Sequence, residues 1–147
     1  MGTDLTETHD LVAVRLRSSG QIYTKGRRGL VELLVETARP ATVAELLNLE
    51  PRLTQSSLYR NMTDLEAVGI IQRVVGSDEL TRYELSEDII GHHHHLICTQ
   101  CGSVDDFEVP AQTERSLEAA LTRAARESGF RPTGHRLDVL GICAACS

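Results

Sequence analysis

Apolar positions recur at helical spacing through the first part of the chain. Residues 10–17 read as a short first helix ended by Ser18, Ser19 and Gly20. A second helix is predicted from about Lys25 to Ala38, because Leu30, Leu33, Leu34 and Thr37 repeat every three or four residues, and Pro40 stops it. Thr42 can cap a short third helix whose inward side chains are Val43, Leu46 and Leu47. The fourth is the most legible: Thr54 is its N-cap, Leu53 and Leu58 form a hydrophobic staple, and Leu58, Met62 and Leu65 make the buried stripe. Gln55, Ser56, Tyr59, Arg60 and Thr63 then face outward, and Gly69 closes the helix.

The period then changes. Residues 70–75 and 80–85 are strand-like runs around Gly76, Ser77, Asp78 and Glu79, which reads as a hairpin. The last three of these helices, followed by a hairpin, are in the order of a winged helix-turn-helix. Residues 86–91 are polar and aperiodic and serve as a hinge between a first domain, 1–85, and a second, 92–147. The second domain holds strand-like Leu96–Ile97 and 104–109, an amphipathic helix from about Gln112 to Ser128, and a last strand near Arg136 to Ile142. The fold class is therefore α+β.

With 147 residues, 41% of them apolar, the chain can bury a real core and is not disordered. Residues 1–10 carry acids where a secretion signal would be basic and then apolar, so a cytoplasmic protein is expected, with no membrane partner. A formal charge of −6 speaks against nucleic acid until its distribution is considered. Between Arg15 and Arg60 eight Lys/Arg face four Asp/Glu, whereas residues 86–147 hold five against nine. The basic part and the acidic part are separate regions.

The acidic part carries the candidate chemistry. Cys98/Cys101 and Cys143/Cys146 are two C-x-x-C pairs, which supply the four thiolates of a closed structural zinc site. A redox pair is the weaker reading, since a thioredoxin-type site needs one such motif in a βαβ setting. Such a zinc would join the beginning and the end of the small domain and staple a core poor in aromatic residues. His92, His93, His94 and His95 form an internal run, so a purification tag is a poor explanation, and a cysteine knuckle three residues away argues against an idle solvated run. In an extended strand alternate side chains point to opposite sides, so His92 and His94 would serve one site, His93 and His95 another.

Tyr59-Arg60 with Leu65 and Gly69 to Ile71, then Tyr83 to Leu85, the histidine run leading into Cys98 and Cys101-Gly102, Gly129-Phe130, His135, and Gly141 to Cys146 together resemble the ferric uptake regulator family, in the family's own order. The likeness spans about Thr24 to Cys146. It implies a winged-helix DNA-binding domain joined to a small α/β dimerisation domain with structural zinc. It also implies a homodimeric, metal-responsive repressor of metal uptake or homeostasis genes, bound to a palindromic double-stranded DNA operator. Carried over, it assigns Cys98, Cys101, Cys143 and Cys146 to the zinc, and a sensory hinge site to Glu84, His93, His95 and Asp106. It assigns a second site to His92, His94, Glu118 and His135, with Glu118 preferred to Glu114 because Ser116 to Ala119 is similar to the family's helix. The family includes iron, zinc, manganese, nickel and peroxide sensors, so a second divalent metal is implied, Zn2+ or Fe2+ with Mn2+ possible. Oxygen and nitrogen donors suit all three.

The chain departs from the family at two hinge-site positions. The histidine often lent from just before the third helix is replaced by Arg39-Pro40, and the Asp that many zinc sensors use after the recognition helix is matched by Gln72, with Ser86 to Asp88 in place of a hinge Cys. Asp88 or His9 is the substitute the sequence offers. For DNA, Gln55, Ser56, Tyr59 and Arg60 on the outward face of the fourth helix can reach base edges, and Lys25, Arg27 and Arg28 can touch the backbone or a minor groove. Ordinary solvation is the bland alternative for both groups. A zinc hydrolase would need three ligands, an open position and a placed base, and no H-E-x-x-H is present. A structural zinc module for protein interaction would leave the histidines and the winged helix unexplained.

Overall fold

A computed structural model describes residues 4–147; residues 1–3, which the first-domain range and the reading of the N-terminus both include, lie outside the described residues. The first helix, α1 (Leu5–Ser18), begins earlier than the apolar pattern suggests, because the Asp4 side chain caps it by accepting from the Thr6 amide. Next come α2 (Lys25–Thr37), capped by Thr24, a two-residue strand β1 (Ala41–Thr42), and α3 (Val43–Leu49). Thr42 and Glu45 cap α3 reciprocally: the Glu45 amide donates to Thr42 Oγ1 and the Thr42 amide to Glu45 Oε2. The fourth helix, α4 (Gln55–Ala67), starts at Thr54 as its spacing predicts and ends at Val68, with Gly69 at φ +74° turning the chain away.

Strands β2 (Ile71–Val75) and β3 (Thr81–Leu85) form the wing, and β3 also pairs with β1, giving the antiparallel order β1-β3-β2. Leu16, Leu30, Val31, Leu46, Leu58, Met62, Leu65, Ile70 and Leu85 meet in one buried cluster. Each such aliphatic side chain contributes about 1.5–3 kcal/mol of transfer free energy. This cluster fixes the outward pose of the opposite face of α4.

Between the two sheets the aperiodic stretch is not a loop throughout: residues Glu87–Ile90 form a single-turn helix, α5. Then β4 (His94–Cys98) sits at the centre of a second sheet, antiparallel to β5 (Val104–Phe107) and parallel to β6 (Asp138–Gly141). Helix α6 (Ala111–Glu127) makes the crossover between β5 and β6. No residue of α6 is buried, and Leu121, Phe130, Val139, Leu140 and Ile142 are exposed. The apolar side chains of this sheet and helix are thus left uncovered.

The wing and the second sheet touch. Val74 of β2 packs with Ile97 and Val104 in a small buried cluster, and Ser77 Oγ donates to the carbonyl of Cys98 at 2.6 Å. Arg82, buried, holds Asp78 in a two-pronged ion pair with both contacts at 2.8 Å. Gly76 and Gly102 allow close approach: a Cβ on Gly76 would lie 2.5 Å from the Gly102 carbonyl oxygen, and one on Gly102 would lie 2.3 Å from Asp78.

Candidate metal centres and nucleic-acid face

Two short segments at the ends of β4 and β6 bring the four cysteines together. The Sγ atoms of Cys98, Cys101, Cys143 and Cys146 lie within 4.8 Å of one another and no disulfide joins them. Cys101 Sγ is 3.7 Å from Cys143 Sγ, which matches the edge of about 3.8 Å that a tetrahedron with metal–sulfur bonds of about 2.3 Å requires. The amides of Cys101 and Cys143 both donate to Cys98 Sγ, at 3.5 and 3.4 Å. Those two backbone bonds pull the Cys98 thiol down to about 6, and Ser103 likewise lowers Cys101. Cys146 is pushed up to about 12, first by its contact with Cys143. Four thiols crowded this closely can all be thiolates around one cation, so the donor set fits zinc.

The histidine run supplies two further clusters, divided as strand alternation predicts. On one side of β4 stand His93 and His95, with Glu84 from β3 and Asp106 from β5. All four are at least four-fifths buried as side chains. Glu84 Oε1 meets His93 Nε2 at 3.0 Å and His95 Nε2 at 2.8 Å, and accepts from Gln72 Nε2 at 2.8 Å. Burial alone would raise the Glu84 carboxyl, but these three hydrogen bonds outweigh it and hold it at about 2. Burial would lower both imidazoles, yet Glu84 reverses the sign, lifting His93 to about 9 and raising His95. Asp106 is pushed up to about 7 by its own burial and by the neighbouring Glu84. Glu84 Oε2 and Asp106 Oδ1 are buried without a partner. Two orphaned carboxylate oxygens beside two imidazoles, one of them with its Nδ1 held by the Gly91 carbonyl at 2.9 Å, are what a divalent cation would satisfy.

On the other side, His92 and His94 meet Glu114 of α6 and His135 of the loop before β6. His94 Nε2 is 2.7 Å from Glu114 Oε2, while His92 Nε2 and His135 Nε2 are 3.0 and 2.8 Å from Glu114 Oε1. The His94 contact, with weaker attraction to the other two rings, lowers the Glu114 carboxyl. Glu118 does not join this cluster. It is exposed one turn further along α6 and lines a separate surface cleft with Leu121, Thr122 and His135.

Neither substitute considered for the hinge site reaches it. His9 is buried between α1 and α2, hydrogen-bonded to Tyr23 and Glu32, and Asp88 pairs with Arg15 at 3.2 Å. Asp106 completes the four donors instead. Arg39 lines a cavity beside the hinge cluster with Glu84, His93 and Asp106, but its guanidinium turns to Glu45 at 3.6 Å. Two features escaped the sequence. Gln72 is a hydrogen-bond donor to Glu84, and Glu87 lies 3.2 Å from His92 Nδ1.

The outward face of α4 presents Gln55, Ser56, Tyr59 and Arg60, all exposed, as does Lys25 at the start of α2. Arg27 is not free in the same way, since it donates to the Ile22 carbonyl and to Asp64 at 2.9 and 2.8 Å, tying α2 to α4. Arg28 lies over the Tyr23 ring, 5.4 Å from its centre. Among the described residues, no helix is long and apolar enough to cross a membrane.

Comparison with known proteins gives one answer. The profile of the Ferric uptake regulator family matches residues 18–140. The chain is 30% identical over 144 residues to the "Ferric uptake regulation protein" of Bacillus subtilis (strain 168), covering 94% of this chain and 93% of that protein. It is 31% identical to the protein of the same description from Neisseria gonorrhoeae, with 90% of each chain covered. Among solved structures it is similar to a "zinc-bound manganese uptake regulator", with 31% identity, a TM-score of 0.64, and coverage of 90% of this chain and 98% of the other. The fold is also that of the Helicobacter pylori ferric uptake regulator, with TM-score 0.70 at 22% identity over 97% of this chain and 93% of that one.

Proposed function

The chain belongs to the ferric uptake regulator family, metal-responsive DNA-binding transcriptional regulators and not enzymes, and on that premise we propose that it is a homodimeric repressor that closes on a palindromic operator when a divalent metal fills the hinge cluster. In this reading residues 1–85 are the DNA-binding domain, 86–91 the hinge and 92–147 the metal-binding dimerisation domain, acting in the cytoplasm where free thiols persist. The four cysteines hold a structural Zn2+. Glu84, His93, His95 and Asp106 hold the sensed metal, and His92, His94, Glu114 and His135 a second one. Glu114 replaces Glu118 in that set because its carboxylate is the one touching all three rings.

The observation that carries the proposal is that Glu84 belongs to the wing strand, whereas His95 and Asp106 belong to the second sheet and His93 stands immediately before its strand β4. A bound divalent cation would supply the positive charge that offsets two buried carboxylates. Glu84 would then tie β3 to β4 and β5 and favour one angle between the domains. A ligand moves such an equilibrium only by its differential affinity for the two states, and coupling of about 1–3 kcal/mol is usual. Dimerisation through the uncovered faces of α6 and β6 would set two α4 helices at successive major grooves, with Gln55, Ser56, Tyr59 and Arg60 toward the bases and Lys25 and Arg28 toward the backbone. Arg27, held by Asp64, would reach phosphate only by exchanging that partner.

The hinge donors suit Zn2+, Fe2+ or Mn2+. Element analysis of protein from its native host, followed by operator gel shifts with each metal and with chelator, tests the reading. Operator binding that responds to none of the three would overturn it.

A further inference from the structure

We propose that Glu87 is a positioning residue for the second cluster: it orients His92 for a divalent cation and ties that site to the hinge helix, so that a cation there stiffens the hinge. The inference rests on the reading above in one respect, that His92, His94, Glu114 and His135 take a metal. The two ring nitrogens of His92 have separate tasks. Its Nε2 faces the cluster, 3.0 Å from Glu114 and 3.2 Å from His135, while its Nδ1 lies 3.2 Å from Glu87 Oε2. An Nδ1–H donated to a carboxylate leaves the lone pair on Nε2 and fixes the plane of the ring, the usual way a second carboxylate prepares a histidine ligand. His94, in contrast, has its Nδ1 buried and unpartnered.

Glu87 is the first residue of α5, and the residues on either side of it grip the DNA-binding domain. Asp88 pairs with Arg15 at 3.2 Å, and the same Arg15 nitrogen donates to the Gly69 carbonyl at 3.1 Å. Ser86 Oγ donates to that carbonyl too, at 2.7 Å, and the Ser86 amide to the Ile70 carbonyl at 2.9 Å. Gly69 and Ile70 follow α4 directly. One helical turn therefore holds a histidine of the second cluster on one side and the exit of the recognition helix on the other. The second cluster, drawn otherwise from residues 92–135, thereby gains a direct link to the hinge.

Glu87 and His92 are both partly exposed, with 40% and 35% of their side chains accessible, so their charge attraction is screened and small. The contribution of Glu87 is then mainly orientation. A neutral acceptor of the same shape keeps most of it, and a methyl group keeps none.

The test uses full-length, zinc-bearing protein in a His93→Ala background, which removes the hinge site, with Co2+ alone as the probe. Affinity is read by chelator competition on the Co2+ absorption bands. Glu87→Ala is expected to weaken Co2+ binding by about 10–100-fold, and Glu87→Gln to restore most of it. The Ile89, Ile90 and Gly91 amides, which close the α5 turn on Ser86 and Glu87, are expected to exchange more slowly with Co2+ when Glu87 is present and to lose that response in Glu87→Ala. Unchanged affinity and unchanged Co2+-dependent protection in Glu87→Ala, with Co2+ binding lost in His92→Ala, overturns the Glu87 proposal and leaves the metal site standing. Co2+ binding retained in His92→Ala overturns the metal assignment itself, and the proposal with it.

Discussion

Replacing Gly76 by alanine tests whether the wing is docked on the cysteine knuckle. Its φ is not in the left-handed region, so the substitution adds no backbone strain and acts only through contact. The new Cβ would lie 2.5 Å from the Gly102 carbonyl oxygen and 2.4 Å from Arg82 Nη1. The guanidinium is pinned by Asp78, and Gly102 belongs to a turn whose amide bonds to Cys98 O at 3.0 Å. Since even a close C–H···O contact keeps carbon and oxygen about 3.3–3.6 Å apart, the wing must retreat by roughly 1 Å. That stretches the Ser77 bond to Cys98 O, worth about 0.5–1.5 kcal/mol, and loosens Val74 from Ile97 and Val104, part of about 1.5–3 kcal/mol. Alanine returns about 0.4–1 kcal/mol by restricting the unfolded chain. The net expected loss is about 1–3 kcal/mol, read by denaturant unfolding of zinc-bearing protein, with faster amide exchange in residues 74–82 and 97–104. Ser77→Ala is expected to lose about 1 kcal/mol by the same route. Native stability and native exchange in Gly76→Ala would refute the docking argument.

Cys98→Ser or Cys143→Ser should lose its zinc, unfold the second domain and abolish dimers, checked by element analysis and light scattering; a zinc-free folded dimer would contradict the assignment. Arg60→Ala should weaken operator binding by about 1–3 kcal/mol if it reads a base, with metal content unchanged, measured by gel shift on native and altered operators. His93→Ala or His95→Ala should leave a folded zinc-bearing dimer whose operator affinity no longer rises with metal, whereas His92→Ala or His135→Ala should mainly shift the metal concentration required; the reverse pattern in metal titrations would exchange the two sites. Asp78 is held at about 2 against its usual 3.8, first by its hydrogen bond to Arg82, so its contribution is fully present above about 3.8 and is lost as pH falls through about 2. The stability gap between native protein and Asp78→Asn should narrow over that window in acid unfolding curves.

Local signals carried most of the fold. Thr54 with Leu58, Met62 and Leu65 located α4 within a residue of its observed bounds, and the two-residue period of a strand separated four identical histidines into the two groups that the structure brings together. What could not be read depends on where distant elements meet. Glu114 and Glu118 are one turn apart on the same helix, so spacing leaves them equivalent; the reach of His92 and His94 decides for Glu114. Glu87 reaches His92 across the turn at Gly91 and Gln72 reaches Glu84 across the hairpin, two local contacts that depend on side-chain reach and carry no periodic signature, and the wing meets Gly102 from 26 residues away. His9 was legible in principle. It stands three and seven residues before Val12 and Leu16, on the buried stripe of α1 and away from the hinge.

The histidine run is a homopolymer, and its two ends are held very differently. On the C-terminal side, Cys98 and the pairing of His94 with Phe107 and His95 with Asp106 pin the register; on the N-terminal side stands Gly91, at φ +92° with open space around it. A fifth histidine inserted anywhere in the run gives one and the same sequence. The four nearest the knuckle would keep their places, and the extra residue would be pushed out beside Gly91. Under the proposed function such an insertion would lengthen the connection between the sheets without removing a donor from either cluster, and would separate metal affinity from operator response. Deleting one histidine instead draws Gly91 into the place of His92, shortens the hinge and costs the second cluster a donor. Tract length thus sets the slack beside Gly91, while the position of each histidine in the tract decides which of the two clusters it joins.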